Sequence, residues 1–121
     1  MKVLLVDDDA FLRDMYATKF VEYGHEVEVV SDSKAALGKI KEGNYDAVML
    51  DVIMPGLSGL ELLAEIKKSG VSKDSKYIIL SNQSESSDKA AAEGLGADGY
   101  IVKAESIPSD VVKKVEEICK K

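Results

Sequence analysis

The chain has 121 residues, with 45% hydrophobic and 31% charged side chains, the balance of a globular domain rather than a disordered tail. Against 22 acidic residues stand 16 basic ones, and the formal charge of −6 argues against a general binder of nucleic-acid phosphate backbones. One cysteine and one histidine exclude an internal disulfide and a His/Cys zinc cage, and no apolar run is long enough to span a membrane.

The elements read off in chain order. Val3-Leu4-Leu5-Val6 is a continuous aliphatic run and predicts a strand. Residues 10–23 place Leu12, Tyr16, Phe20 and Tyr23 on one helical face, with Gly24 as the stop and His25 as an exposed loop residue after it. Val27-Glu28-Val29-Val30 is a strand with a charge inside it, which an edge position tolerates. Ser31-Asp32-Ser33, three cap-forming residues in a row, precede a helix over 33–42 that ends at Gly43. Ala47-Val48-Met49-Leu50 is the third strand. Ser58-Gly59-Leu60-Glu61 has capping-box spacing and opens a helix carrying Leu62, Leu63 and Ile66, closed by Gly70. Tyr77-Ile78-Ile79-Leu80 is the fourth strand. Residues 86–95 form an alanine-rich helix whose only apolar face is Ala90, Ala91, Ala92 and Leu95, a face suited to a movable element. Tyr100-Ile101-Val102 is the fifth strand, and Pro108 introduces a helix over 109–119 with Val111, Val112, Val115 and Ile118. Cys119, at its end, reads as a packed small hydrophobe.

Strands alternating with helices of 10–15 residues predict a single α/β domain over 1–121, a (βα)5 doubly wound parallel sheet. In such sheets the reactive crevice lies beyond the carboxyl ends of the strands. The residues ending the runs are Asp7, Asp8 and Asp9 after the first, Asp51 after the third, Ser81 and Asn82 after the fourth, and Lys103 after the fifth. Each alone has a structural role open to it: Asp9 is a natural helix cap, Ser81 a loop hydroxyl, Lys103 a solvated charge. Together they imply more. Two carboxylates 4 Å apart repel by about 4 kcal/mol at an effective dielectric near 20. Asp7, Asp8 and Asp51 in one crevice therefore call for a cation beyond the one charge of Lys103, and hard oxygen donors suit Mg²⁺ or Mn²⁺. The acidic first loop repels anions, which excludes a phosphate-cradling glycine loop, and no Gly-x-Ser-x-Gly elbow is present.

Val6-Asp7-Asp8, Leu50-Asp51 with Met54-Pro55-Gly56-Leu57-Ser58-Gly59, Leu80-Ser81 and Gly99-Tyr100-Ile101-Val102-Lys103 together resemble the receiver domain of bacterial two-component response regulators, of the chemotaxis-regulator kind, over essentially the whole chain. The resemblance implies the flavodoxin-like strand order 2-1-3-4-5. It implies that Asp51 is the phosphoacceptor, attacking a phosphohistidine on a sensor histidine kinase or phosphotransfer protein. Asp8, Asp51 and the backbone carbonyl of Ile53 would hold Mg²⁺, with Asp7 acting through a metal-bound water. Lys103, the Ser81 hydroxyl and the Asn82 backbone N–H would take phosphoryl oxygens, and Tyr100 would be the switch aromatic that follows Ser81. The fourth helix, fifth strand and fifth helix would meet a downstream protein. The lone cysteine, the acidic charge and the short apolar runs point to a cytoplasmic location with no membrane or direct nucleic-acid contact, and the resemblance implies self-catalysed phosphorylation rather than turnover catalysis. The chain ends at its fifth helix, as expected of a stand-alone regulator, a relay intermediate or a domain of something larger.

The family pattern is not followed everywhere. Lys103 is usually followed by proline in a cis bond; here Ala104 stands there, and a cis bond without proline costs about 2.5–4 kcal/mol, so a trans bond or a rearranged loop is expected. Asn82 is larger than the residue usual there and would crowd Asp51. Ile53 and Gln83 occupy positions that tune acyl-phosphate hydrolysis, and an apolar Ile53 cannot orient a water, which implies slow self-dephosphorylation. Two rivals are an aspartyl-phosphate phosphatase of haloacid dehalogenase type and a non-phosphorylated interaction module. The first wants a second aspartate two residues after the nucleophile, where Ile53 stands; the second leaves the combination of Asp7, Asp8, Asp51 and Lys103 without a purpose.

Overall fold

The aliphatic runs become strands because they are covered on both faces. The computed structural model describes residues 1–54, 56–70, 74–81, 86–103 and 106–120, the side chains of residues 86 and 87 excepted. In chain order the elements are β1 (Lys2–Val6), α1 (Ala10–Glu22), β2 (Glu26–Val30), α2 (Ser33–Glu42), β3 (Ala47–Asp51), α3 (Gly59–Ser69), β4 (Lys76–Ser81), α4 (Ser86–Gly94), β5 (Gly99–Val102) and α5 (Pro108–Cys119). All strand pairs are parallel, in the order β2-β1-β3-β4-β5. The charge-bearing second run is indeed an edge strand. The accessible surface is 6285 Å², against about 6,400 Å² expected for a folded chain of this mass.

Alternation along each strand divides the core in two. Val3 and Leu5 of β1 pack with Tyr16 and Phe20 of α1 and Val111, Val112 and Val115 of α5. Leu4 and Val6 face the other way, onto Ala36 and Ile40 of α2, Leu62, Leu63 and Ile66 of α3, and Ala92 of α4. The chain thus winds one way from β1 to β2 and the other from β3 to β5. A crevice opens at the carboxyl ends, where the winding reverses between β1 and β3.

Local chemistry sets the helix ends. Asp9 caps α1, accepting the Phe11 and Leu12 N–H groups at 3.0 and 3.2 Å. Ser58 and Glu61 form the reciprocal capping box of α3, and Gly70 closes that helix at φ 73°. α5 starts at Pro108 itself, one residue earlier than the apolar pattern suggests, because proline at the first helical position forfeits no hydrogen bond.

Two expectations are overturned. Tyr23 does not continue the buried face of α1: it is the C-cap, 40% exposed, because the helix has already ended at Glu22. His25 is not an exposed loop residue. Its side chain is only 10% exposed, with Nε2 2.7 Å from Glu116 Oε2 of α5 and its ring edge-on to Phe20. α1 and α5 cover the same face of the sheet, so the turn after α1 is pressed against the last turns of α5. Cys119 packs at the margin of the same cluster, and its Sγ donates to the Asp46 carbonyl oxygen at 3.8 Å. No helix among the described residues is long and apolar enough to cross a membrane.

Candidate functional site

Parallel strands deliver their last residues to one edge. β1 ends at Val6 and hands over Asp7 and Asp8; β3 ends at Asp51, whose register partner on β4 is Leu80; Ser81 ends β4 opposite Val102; Lys103 follows β5. One carboxylate oxygen from each of Asp7, Asp8 and Asp51 lies within 4.8 Å of the others. Asp7 is fully buried, Asp51 is 5% exposed, and Asp8 faces solvent.

Lys103 joins two of the three. Its Nζ donates to Asp7 Oδ2 at 2.9 Å and lies 3.2 Å from Asp51 Oδ2, with the side chain almost wholly buried. The other oxygen of Asp7, Oδ1, accepts the Asp9 N–H at 3.0 Å. Asp7 is therefore engaged at both oxygens, whereas Asp8 stands open. Arg13 of α1 braces the turn from outside, its Nη1 donating to the Asp7 carbonyl oxygen at 2.9 Å.

The electrostatics follow from burial. Burial pushes the Asp51 carboxyl up from 3.8 to about 6; Lys103 opposes this and Asp7 adds to it. Burial pulls the Lys103 ammonium down, but its bonds to Asp7 and Asp51 outweigh that and leave it above its ordinary value. Three carboxylates against one ammonium leave two uncompensated negative charges, which a single divalent cation neutralises. The donor set is all oxygen, with one exposed carboxylate, one nearly buried carboxylate and a third already hydrogen-bonded at both oxygens. That suits a hard ion that keeps several waters.

The loop leaving Asp51 is held close to it. Val52 N–H donates to Leu80 O and Gly59 N–H to Val52 O, both at 3.0 Å. A Cβ on Gly59 would overlap the Asp51 carbonyl oxygen, so any larger residue there would have to push the start of α3 away from β3. Met54 is buried in the α2–α4 side of the core, while Ile53 between them is 68% exposed.

Of the sequence-predicted residues, Asp7, Asp8, Asp51 and Lys103 are brought together by direct contact or proximity. Ser81 is buried one register step beyond Asp51 on the neighbouring strand. Tyr100 is half-buried and packs towards the α2–α4 side. Asn82, Gln83 and Ala104 lie outside the described residues. Sequence reasoning missed two neighbours. Tyr16, read only as core, is buried within the electrostatic reach of Asp7, Asp51 and Lys103, and burial above all raises its phenol. Arg13 carried no signal beyond being the only arginine in the chain.

Comparison with known proteins agrees with this geometry. Residues 3–116 match the family model described as the response regulator receiver domain. The two-component response regulator PhoP of Pseudomonas aeruginosa is 38% identical over 103 residues, covering 85% of this chain and 45% of that protein. The chain thus spans about half the length of the curated relatives it matches. Among solved structures, the receiver domain of the Francisella response regulator 1452 superposes with a TM-score of 0.90 at 33% identity, covering 98% of this chain and 96% of that one. The response regulator TrrA of Thermotoga maritima, solved in complex with Mg²⁺ and BeF, gives 0.83 at 35% identity, covering 97% of each chain.

Proposed function

This chain belongs to the response regulator receiver domain family, and on that premise we propose that it takes a phosphoryl group from a histidine kinase or histidine phosphotransfer protein onto Asp51. The observation that carries the proposal is the placement of Asp51. It is a nearly buried carboxylate, 3.2 Å from a buried ammonium, in a cluster with two further carboxylates at the carboxyl edge of the sheet. With its carboxyl raised only to about 6, Asp51 is ionised at neutral pH and fit to act as a nucleophile.

In the proposed step an Asp51 carboxylate oxygen forms a bond to phosphorus while the P–N bond of the phosphohistidine breaks, and the electron pair stays on the departing imidazole nitrogen, which takes a proton from solvent water. Phosphoryl transfer asks the protein for positioning and charge neutralisation more than for covalent help. Lys103 sits ready to meet one phosphoryl oxygen, and Asp7 holds Lys103 in place. The Ser81 hydroxyl and the Asn82 N–H are assigned to others, and Tyr100 to the movement that follows Ser81. Asp8, Asp51 and the Ile53 carbonyl are the proposed Mg²⁺ ligands, Asp7 acting through water. The ion, when bound, neutralises charge developing on the transferred group. TrrA, solved with Mg²⁺ and BeF, supports that choice of ion, with Mn²⁺ as a substitute.

Transfer is self-catalysed and not a turnover reaction. Ile53 carries no group able to move a proton, which favours a long-lived acyl phosphate. The phosphorylated form would alter the surface of α4, β5 and α5 for a downstream protein. The formal charge of −6 gives this chain no electrostatic footing on a phosphate backbone. We propose 1–121 as one receiver unit acting in the cytoplasm, where a free cysteine such as Cys119 stays reduced.

The test is intact-mass spectrometry after treatment with acetyl phosphate and MgCl₂. Wild type should gain one phosphoryl group and Asp51→Asn none. Equal addition to both, or no addition to wild type, would remove Asp51 from its assigned role.

A further inference from the structure

Three cap-forming residues, Ser31, Asp32 and Ser33, stand at the start of α2, and the helix uses one of them as its cap. Asp32 is the N-cap, its carboxylate accepting the Ala35 N–H at 2.8 Å. Ser33, the first helical residue, is therefore spared capping duty, yet it is only 5% exposed. A buried hydroxyl at that position needs a polar reason. Its Oγ accepts the Leu57 N–H at 2.8 Å, 24 residues further along the chain. Gly56, at φ 85°, packs so tightly against it that a Cβ there would overlap the same oxygen.

The tie falls on the loop that leaves Asp51. The near end of that loop is fixed to β4 through Val52 and to the start of α3 through Gly59. Its far end is held by the Ser58–Glu61 capping box, which belongs to α3. Ser33 hydrogen-bonds the loop backbone from outside this β3–α3 unit, reaching it from α2. Ile53 lies between the anchored points and is 68% exposed.

We propose that Ser33 is a positioning residue for the site. Through the Leu57 amide it sets the height of the segment carrying the Ile53 carbonyl, and so the affinity for Mg²⁺. The inference rests on the receiver reading, which assigns that carbonyl to the ion. Mg²⁺ demands near-ideal octahedral geometry, so a carbonyl held loosely is a poor ligand. Groups that orient ligands without touching the metal are worth about 10–100-fold in affinity when removed. Ser33 acts one step further out, across the loop, which points to the lower end of that range.

The experiment titrates MgCl₂ into wild type, Ser33→Ala, Ser33→Gly and Ser33→Thr, following backbone amide NMR shifts, with hydrogen exchange at the Leu57 amide as the direct reporter of the tie. Metal-free melting curves establish that each variant is folded. Both variants lacking the oxygen should bind Mg²⁺ about tenfold more weakly, with the Leu57 amide exchanging about tenfold faster. Ser33→Thr, which keeps the oxygen, should return both readouts to within about twofold of wild type. Wild-type affinity in Ser33→Ala and Ser33→Gly would overturn the inference while leaving the receiver reading in place. So would a weakened Ser33→Thr whose Leu57 amide stays protected, because the effect would then belong to packing. Absence of Mg²⁺ binding by wild type itself would fail the receiver reading and this inference with it.

Discussion

Asp51→Asn should make the metal-free protein more stable, although it removes the proposed reactive group. Burial and Asp7 hold the Asp51 carboxyl at about 6 in the folded chain against 3.8 ordinarily. The folded state therefore binds a proton that the unfolded state has released. The stability linked to that proton is full below about 4 and is lost as pH rises through about 6. Two pH units at about 1.4 kcal/mol each put the cost of the ionised carboxylate near 3 kcal/mol at neutral pH. Asparagine keeps the shape and a carbonyl oxygen beside Lys103 but weakens that pairing, so a net gain of about 1–2 kcal/mol is expected, or roughly 4–8 °C in melting temperature. The assay is thermal unfolding with EDTA at about pH 7.5 and about pH 5, repeated with saturating MgCl₂. The advantage of the variant should shrink at the lower pH, where wild type recovers its proton. Magnesium should raise the wild type by about 2.7 kcal/mol at a hundredfold excess over its dissociation constant and the variant by less. A variant less stable than wild type in EDTA at neutral pH, or an advantage that does not change with pH, would refute the reasoning.

Other consequences are as direct. Lys103→Met leaves Asp7 and Asp51 buried without their cation and should cost about 3–5 kcal/mol in urea unfolding, with MgCl₂ restoring part of the loss. Gly59→Ala drives a Cβ into the Asp51 carbonyl oxygen; we expect a loss of about 1–3 kcal/mol together with slowed phosphorylation by acetyl phosphate, both read on the same purified variant. His25→Ala removes the link to Glu116 across 91 residues of chain and should cost about 1–2 kcal/mol, measured by denaturant unfolding, with the phosphorylation rate unchanged.

The fold was legible because its strands are covered on both sides. Val3–Val6, Ala47–Leu50 and Tyr77–Leu80 carry no polar interruption, and only a sheet sandwiched by helices accepts such runs. The acids were legible for the same reason, since a carboxylate directly after a buried run must sit at the sheet edge. Contacts that depend on reach across the chain were not. Tyr16 shows the spacing of any core aromatic, and nothing local tells that its phenol lies within the electrostatic reach of Asp7 and Lys103. His25 follows a glycine stop, the usual place for an exposed polar residue, and its partner is on the last helix. Ser31, Asp32 and Ser33 are chemically equivalent as caps, so sequence alone does not say which of them is released to bond Leu57.

The unequal standing of the two neighbouring aspartates has a kinetic consequence. Asp7 is locked at both oxygens and shut away from water, while Asp8 beside it is open to solvent. Under the proposed ligand set, a divalent ion would meet the outer carboxylate first and reach Asp51 next, leaving the Asp7–Lys103 pair in place. An ion admitted through so open a carboxylate should exchange with the surrounding medium, its occupancy following the ambient concentration instead of being fixed during folding.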